Sequence, residues 1–101
     1  MNESLIQDIN SEVARAIDKF PKWPSDPIHA ATIIAEECGE LQKAILEAVY
    51  EPNKEIVVSH IRDEAVQTAA MCMRFIDSLD NHKYQWFPSN QHHQNNKWGF
   101  K

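Results

Sequence analysis

Three glutamates crowd one turn of the run Ala35-Glu36-Glu37-Cys38-Gly39-Glu40-Leu41. At about 100° per residue in a helix, Glu36, Glu37 and Glu40 project from roughly a third of its circumference. Glu64 and Gln67, three apart in Arg62-Asp63-Glu64-Ala65-Val66-Gln67, also share a face, and His60, Met71 and Arg74 extend that stripe. If the two segments pair antiparallel as helices, the stripes can meet. Hard oxygen ligands clustered on rigid helices suit Mg²⁺ or Mn²⁺, and Mg²⁺ keeps several waters and recruits phosphates to complete its octahedron.

Such an arrangement is costly for a purely structural helix. Like charges three or four residues apart repel by roughly 0.2–0.5 kcal/mol even when solvated, and a partly buried carboxylate without a partner costs several kcal/mol more. Something positive is expected between the stripes. The competing expectation is a solvated acidic face whose charges pair with Lys43, Arg62 or Arg74.

In order and spacing, Glu36-Glu37-x-x-Glu40 followed by Glu64-x-x-Gln67 resembles the Glu-Glu-x-x-Glu … Glu-x-x-Asp signature of the MazG-like all-α nucleoside triphosphate pyrophosphohydrolases. The likeness spans about Ile28 to Leu79. It implies an all-α fold, an antiparallel helical bundle completed by oligomerisation as a homodimer or homotetramer. It further implies Mg²⁺ (or Mn²⁺) as cofactor and hydrolysis of an NTP or dNTP between the α and β phosphates, with a house-cleaning or nucleotide-pool role. Residue by residue, Glu37, Glu40 and Glu64 are implied as metal ligands. Glu36 beside them is implied to orient or deprotonate the attacking water, so Glu36, Glu37 and Glu40 form the catalytic set. Gln67 stands where the family has its final aspartate, offering a carbonyl oxygen but no charge; either Asp63, one turn earlier on nearly the same face, substitutes for it, or the site holds fewer ions until a substrate triphosphate brings its own. Metal ions would neutralise the triphosphate, acidify a bound water and stabilise the leaving pyrophosphate.

Lys43 and Arg74 lie on the carboxylate stripes and are expected to hold phosphate oxygens, with surface salt bridges to the same glutamates as the alternative. His29, two turns before Glu36, and His60, one turn before Glu64, are expected near phosphate or sugar. Trp23 is the candidate to stack on a base, against a simpler role plugging the bundle end. No Gly-x-x-x-x-Gly-Lys-Ser/Thr loop is present, which excludes a P-loop ATPase. Neither Glu37 nor Glu64 is followed three residues later by histidine, which argues against a carboxylate-bridged di-iron bundle. A non-catalytic helical interaction module, its acidic stripe bound to a basic partner, is the alternative function.

Three elements must position these residues. From Ser4 to Phe20, Leu5, Ile9, Val13, Ala16, Ile17 and Phe20 recur at helical spacing; Ser4 with Gln7 suggests a capping box, and Pro21 closes the helix. Asp26-Pro27 is a good helix start for a second helix to Tyr50, apolar on most of its circumference and expected to be covered on several sides. Pro52 and Asn53 break it, Asn53 caps the next, and a third helix is expected from about Lys54 to Leu79 with Ile61, Ala65, Ala69, Cys72, Phe75 and Ile76 as its main stripe. So short a link pairs the two long helices antiparallel. Residues 1–80 are thus expected to form one helical domain, and 81–101, rich in Asn, Gln and His with scattered aromatics, an irregular tail.

Composition agrees. At 101 residues with only two glycines and five prolines, the chain suits one helical domain better than a β-sandwich. A net charge of −5 lacks the basic footprint for a nucleic-acid duplex. No leader pattern or membrane-length apolar run is seen, so a cytoplasmic protein without a membrane partner is expected. Cys38 and Cys72 fall in different helices and are expected as buried free thiols.

Overall fold

The computed structural model describes residues 2–51 and 58–86. They form three helices, α1 (Glu3–Lys19), α2 (Pro27–Tyr50) and α3 (Val58–Asp80), with no strand among the described residues. The second helix has the bounds its sequence pattern predicts. Asp26 caps it by accepting a hydrogen bond from the Ile28 backbone N–H at 2.9 Å, and Pro27 occupies a first-turn position where no N–H is needed. The first helix begins differently from the expected Ser4–Gln7 box: Asn2 is the cap, its Oδ1 accepting from Leu5 N at 2.7 Å, and Ser4 lies inside the helix. Both residue types cap well, and the upstream one lengthens the helix by two residues. The expected cap at Asn53 and the start of the third helix near Lys54 lie outside the described residues.

Helix α3 is the central element, packing against both α1 and α2. Its direction relative to each is set by contacts near the ends. Arg62 pairs with Asp8 at 2.8 Å, and Arg74 donates to the Phe20 carbonyl at 2.9 Å, so α1 runs parallel to α3. Gln85, just past α3, donates its N–H to the carbonyl of Ser25, just before α2, at 2.8 Å, so α2 runs antiparallel to α3 as expected.

The core is small. Ala16, Ala70 and Met71 form its centre, with Val13, Trp23, Ile33 and Ile34 packed around them. Alanines at 16, 30, 44 and 70 are buried, which allows close helix approach. The buried side of α3 consists of Val66, Ala70, Met71, Arg74 and Ser78, displaced from the apolar stripe read in the sequence; Ala65 and Ile76 of that stripe are exposed. Hydrophobicity alone misplaces this face because Arg74 and Ser78 belong to it. Nor is α2 covered on several sides within the chain: only Ala30 and Ala44 are buried, while Ile28, Ile45, Leu46, Val49 and Tyr50 are exposed. Cys38 faces outward and Cys72 is half-buried; both are free thiols, so the expected burial fails at Cys38. No helix of the described residues is long and apolar enough to cross a membrane.

Past α3 the chain reverses at His82, a non-glycine residue at φ 54°. Hydrogen bonds from His82 N to Leu79 O (3.2 Å) and Lys83 N to Ser78 O (2.9 Å) close the helix end. The turn sends Tyr84 back onto the body, where it is buried.

Candidate functional site

Because α1 and α2 flank α3 without packing closely on each other, a groove remains between them with α3 as its floor. A cleft of about 440 Å³ occupies it. Its walls include Glu12, Arg15 and Lys19 from α1, Lys22 and Trp23 from the α1–α2 connection, and His29, Ile33 and Glu37 from α2; Gln67, Met71 and Arg74 form the floor. The antiparallel pairing explains the match: early α2 residues stand against late α3 residues, so His29 and Glu37 meet the stretch from Gln67 to Arg74.

Five of the residues read as site candidates, Trp23, His29, Glu37, Gln67 and Arg74, line this one cleft. Glu37 is half-buried. Burial, and then the carboxylates of Glu64, Glu12, Glu40 and Glu36, hold its carboxyl above the usual carboxylate range. Glu64 is half-buried as well, whereas Glu36 and Glu40 are exposed. Nothing in the residue pattern singles out Glu12: its helix is an ordinary amphipathic one, and only the fold brings it towards Glu37. Arg15 holds Glu12 through a two-pronged interaction at 3.0 and 2.6 Å.

The ion pairs that a merely solvated acidic face would make are missing. Among the described residues, no salt bridge joins Lys43, Arg62 or Arg74 to Glu36, Glu37, Glu40 or Glu64. Arg62 is taken by Asp8 of α1. Lys43 lies along a separate shallow groove with Gly39, Gln42, Leu46 and Tyr50, away from the cleft. His60, exposed near the start of α3, is also absent from the cleft lining, unlike His29.

Arg74 and Trp23 form the other end of the cleft. The guanidinium lies over the indole ring at 4.9 Å from its centre, one Nη2 donates to Phe20 O, and the residue is only 8% exposed. Burial pushes its pKa below the ordinary arginine value. Trp23 in turn donates its Nε1–H to the Tyr84 hydroxyl at 2.8 Å, and that hydroxyl donates to Phe75 O at 3.3 Å. Tyr84 thus positions the cleft wall, a role that its place in an aperiodic tail concealed.

The donor set suits a hard cation in its chemistry, since its ligating atoms are carboxylate and amide oxygens. Among the described residues, no three His, Cys, Asp or Glu side chains are gathered closely enough to cage a metal alone. Mg²⁺ bound through one or two carboxylates and completed by substrate phosphates needs no such cage. The chain matches none of the models of known protein families, and no curated protein or solved structure matches it.

Proposed function

We propose that the chain is a Mg²⁺-dependent nucleoside triphosphate pyrophosphohydrolase of the MazG-like all-α type, converting a (deoxy)NTP to the monophosphate and pyrophosphate. The observation that carries this reading is Glu37: a half-buried carboxylate in a cleft, near four other glutamates of which, among the described residues, only Glu12 has an ion-pair partner, Arg15. A bound divalent ion would supply the missing positive charge, a polarised phosphate and an acidified water. Of the expected ligands, the half-buried Glu37 and Glu64 would hold it, with the Gln67 carbonyl oxygen as a neutral donor, while the exposed Glu40 adds its charge from outside the cleft. Glu36 accepts the proton of the attacking water. Arg74 holds phosphate oxygens, and Trp23 contributes a flat apolar wall, one face of which already carries the guanidinium. Glu36, Glu40 and Glu64 stand outside the cleft lining and act on Glu37 through their charge, and Lys43 and His60 have no part in it.

The thin core and exposed apolar residues of α2 support completion of the bundle by a second copy, as a homodimer or homotetramer. The exposure of Glu36 and Glu40 favours a second reading, a non-catalytic module whose acidic face binds a basic partner. Pyrophosphate release from a panel of NTPs and dNTPs, with and without Mg²⁺ and with Glu37→Ala as blank, separates the two. Metal-dependent release by the wild type alone supports the hydrolase, and silence across the panel supports the module.

A further inference from the structure

The chain is acidic overall, yet its cleft is not. Four cations, Arg15, Lys19, Lys22 and Arg74, line it against two carboxylates, Glu12 and Glu37, giving a lining of net +2 with His29 neutral in a chain of net −5. Arg15 is neutralised by Glu12. Arg74 is not neutralised: at 8% exposure it has a backbone carbonyl and an aromatic ring for company but no carboxylate partner among the described residues.

A buried cation without a counter-ion is expensive to maintain, because desolvation is not offset by any opposite charge. Its guanidinium has five N–H donors in a planar fork, of which the fold uses one. The ring of Trp23 fixes the plane of that fork, so its remaining donors are pre-organised for an oxyanion. Lys19 and Lys22 add charge at the rim. A single carboxylate would leave this surplus only partly balanced, whereas a phosphate chain carrying several charges matches it.

We propose that Arg74 is a metal-independent receptor for the polyphosphate of the ligand, at the opposite end of the cleft from the carboxylates. Arg74 and Gln67 are seven residues apart on α3, about 10 Å along the helix and on nearly the same face. One ligand can therefore span from the anion-binding end to the acidic end. Identifying the occupant as a nucleoside triphosphate rests on the hydrolase reading; the anion site does not.

The test is titration of inorganic triphosphate into the full chain after metal removal on a chelating resin, by calorimetry and by the NMR signal of the Arg74 Nε–H. The expected result is saturable binding that shifts this signal. Arg74→Gln should weaken affinity about tenfold or more, the loss of charge-assisted hydrogen bonds. Glu37→Gln should retain or tighten binding, since it removes a repelling charge. No binding, or binding that leaves the Arg74 signal unmoved, overturns the proposal, and the wild-type signal decides even if Arg74→Gln fails to fold. Triphosphate binding at Arg74 without turnover would discard the hydrolase alone; turnover with an unmoved Arg74 signal would discard the receptor alone.

Discussion

The indole N–H of Trp23 donates to the hydroxyl of Tyr84 at 2.8 Å, tying the α1–α2 connection to the segment beyond α3. The same hydroxyl donates to Phe75 O, and the Phe75 and Tyr84 rings lie 5.0 Å apart. Tyr84→Phe keeps the ring packing and deletes only the polar relay, leaving the Trp23 donor without its acceptor. The expected cost is about 1–2 kcal/mol, measured by urea denaturation. The Trp23 indole N–H resonance should move at the same time. An unmoved resonance would mean that the relay does not hold Trp23 in solution.

Glu37 shows the opposite balance, a group that lowers stability where it stands. Its folded-state pKa is raised by burial and by neighbouring carboxylates, so the folded chain holds that proton more tightly than the unfolded chain. Stability from this group is full below the ordinary value of 4.5 and is lost as pH rises from there through the raised value. Glu37→Gln should therefore stabilise the metal-free protein at neutral pH by roughly 0.2–0.5 kcal/mol for each relieved pair and flatten the fall in stability above pH 4.5. It should also abolish metal-dependent turnover. Urea midpoints measured across that range check the first effect, and pyrophosphate release the second. A destabilised Glu37→Gln variant would show that Glu37 is already satisfied by a partner.

What was legible in the sequence follows from how local the signal is. Asp26-Pro27 and the break at Pro52-Asn53 are local, and α2 begins and ends where they imply. The facing of early α2 against late α3 also followed, because a short link leaves few alternatives. Glu12 and Tyr84 could not be found this way: one joins the cleft through the parallel packing of α1, the other through a left-handed turn at His82. The sequence places Arg74 on its stripe as a phosphate ligand or the partner of a surface salt bridge, without showing that it is buried. A signal for its burial existed, since Ala70, Arg74 and Ser78 recur every four residues, and buried arginines are otherwise rare.

Gln67 offers a test in which stability and metal affinity move in opposite directions. It lines the cleft and lies one turn from Glu64 on α3. Gln67→Asp adds a further charge to a cluster that is already repulsive, so the metal-free protein should lose roughly 0.2–0.5 kcal/mol. Mg²⁺ affinity should rise on the order of tenfold, because charge count is a main determinant of affinity at oxygen-ligand sites. Calorimetry with MgCl₂ on both proteins checks this. Equal affinities would mean that position 67 does not face the ion.

Val49 decides whether one copy suffices. It is 62% exposed on α2, beside Leu46 and Tyr50, which are exposed too. In a monomer, Val49→Lys should be neutral or slightly stabilising, because lysine is the better helix former and a cation in the last turns complements the helix dipole. In a homodimer or homotetramer closed over this face, the same substitution buries a charge in an apolar contact and should drive dissociation. Sedimentation velocity should therefore find the wild type as a multiple of 11.7 kDa and the variant smaller. A wild type that sediments as one chain at micromolar concentration would remove the oligomer from the proposal, leaving α2 with an open apolar face.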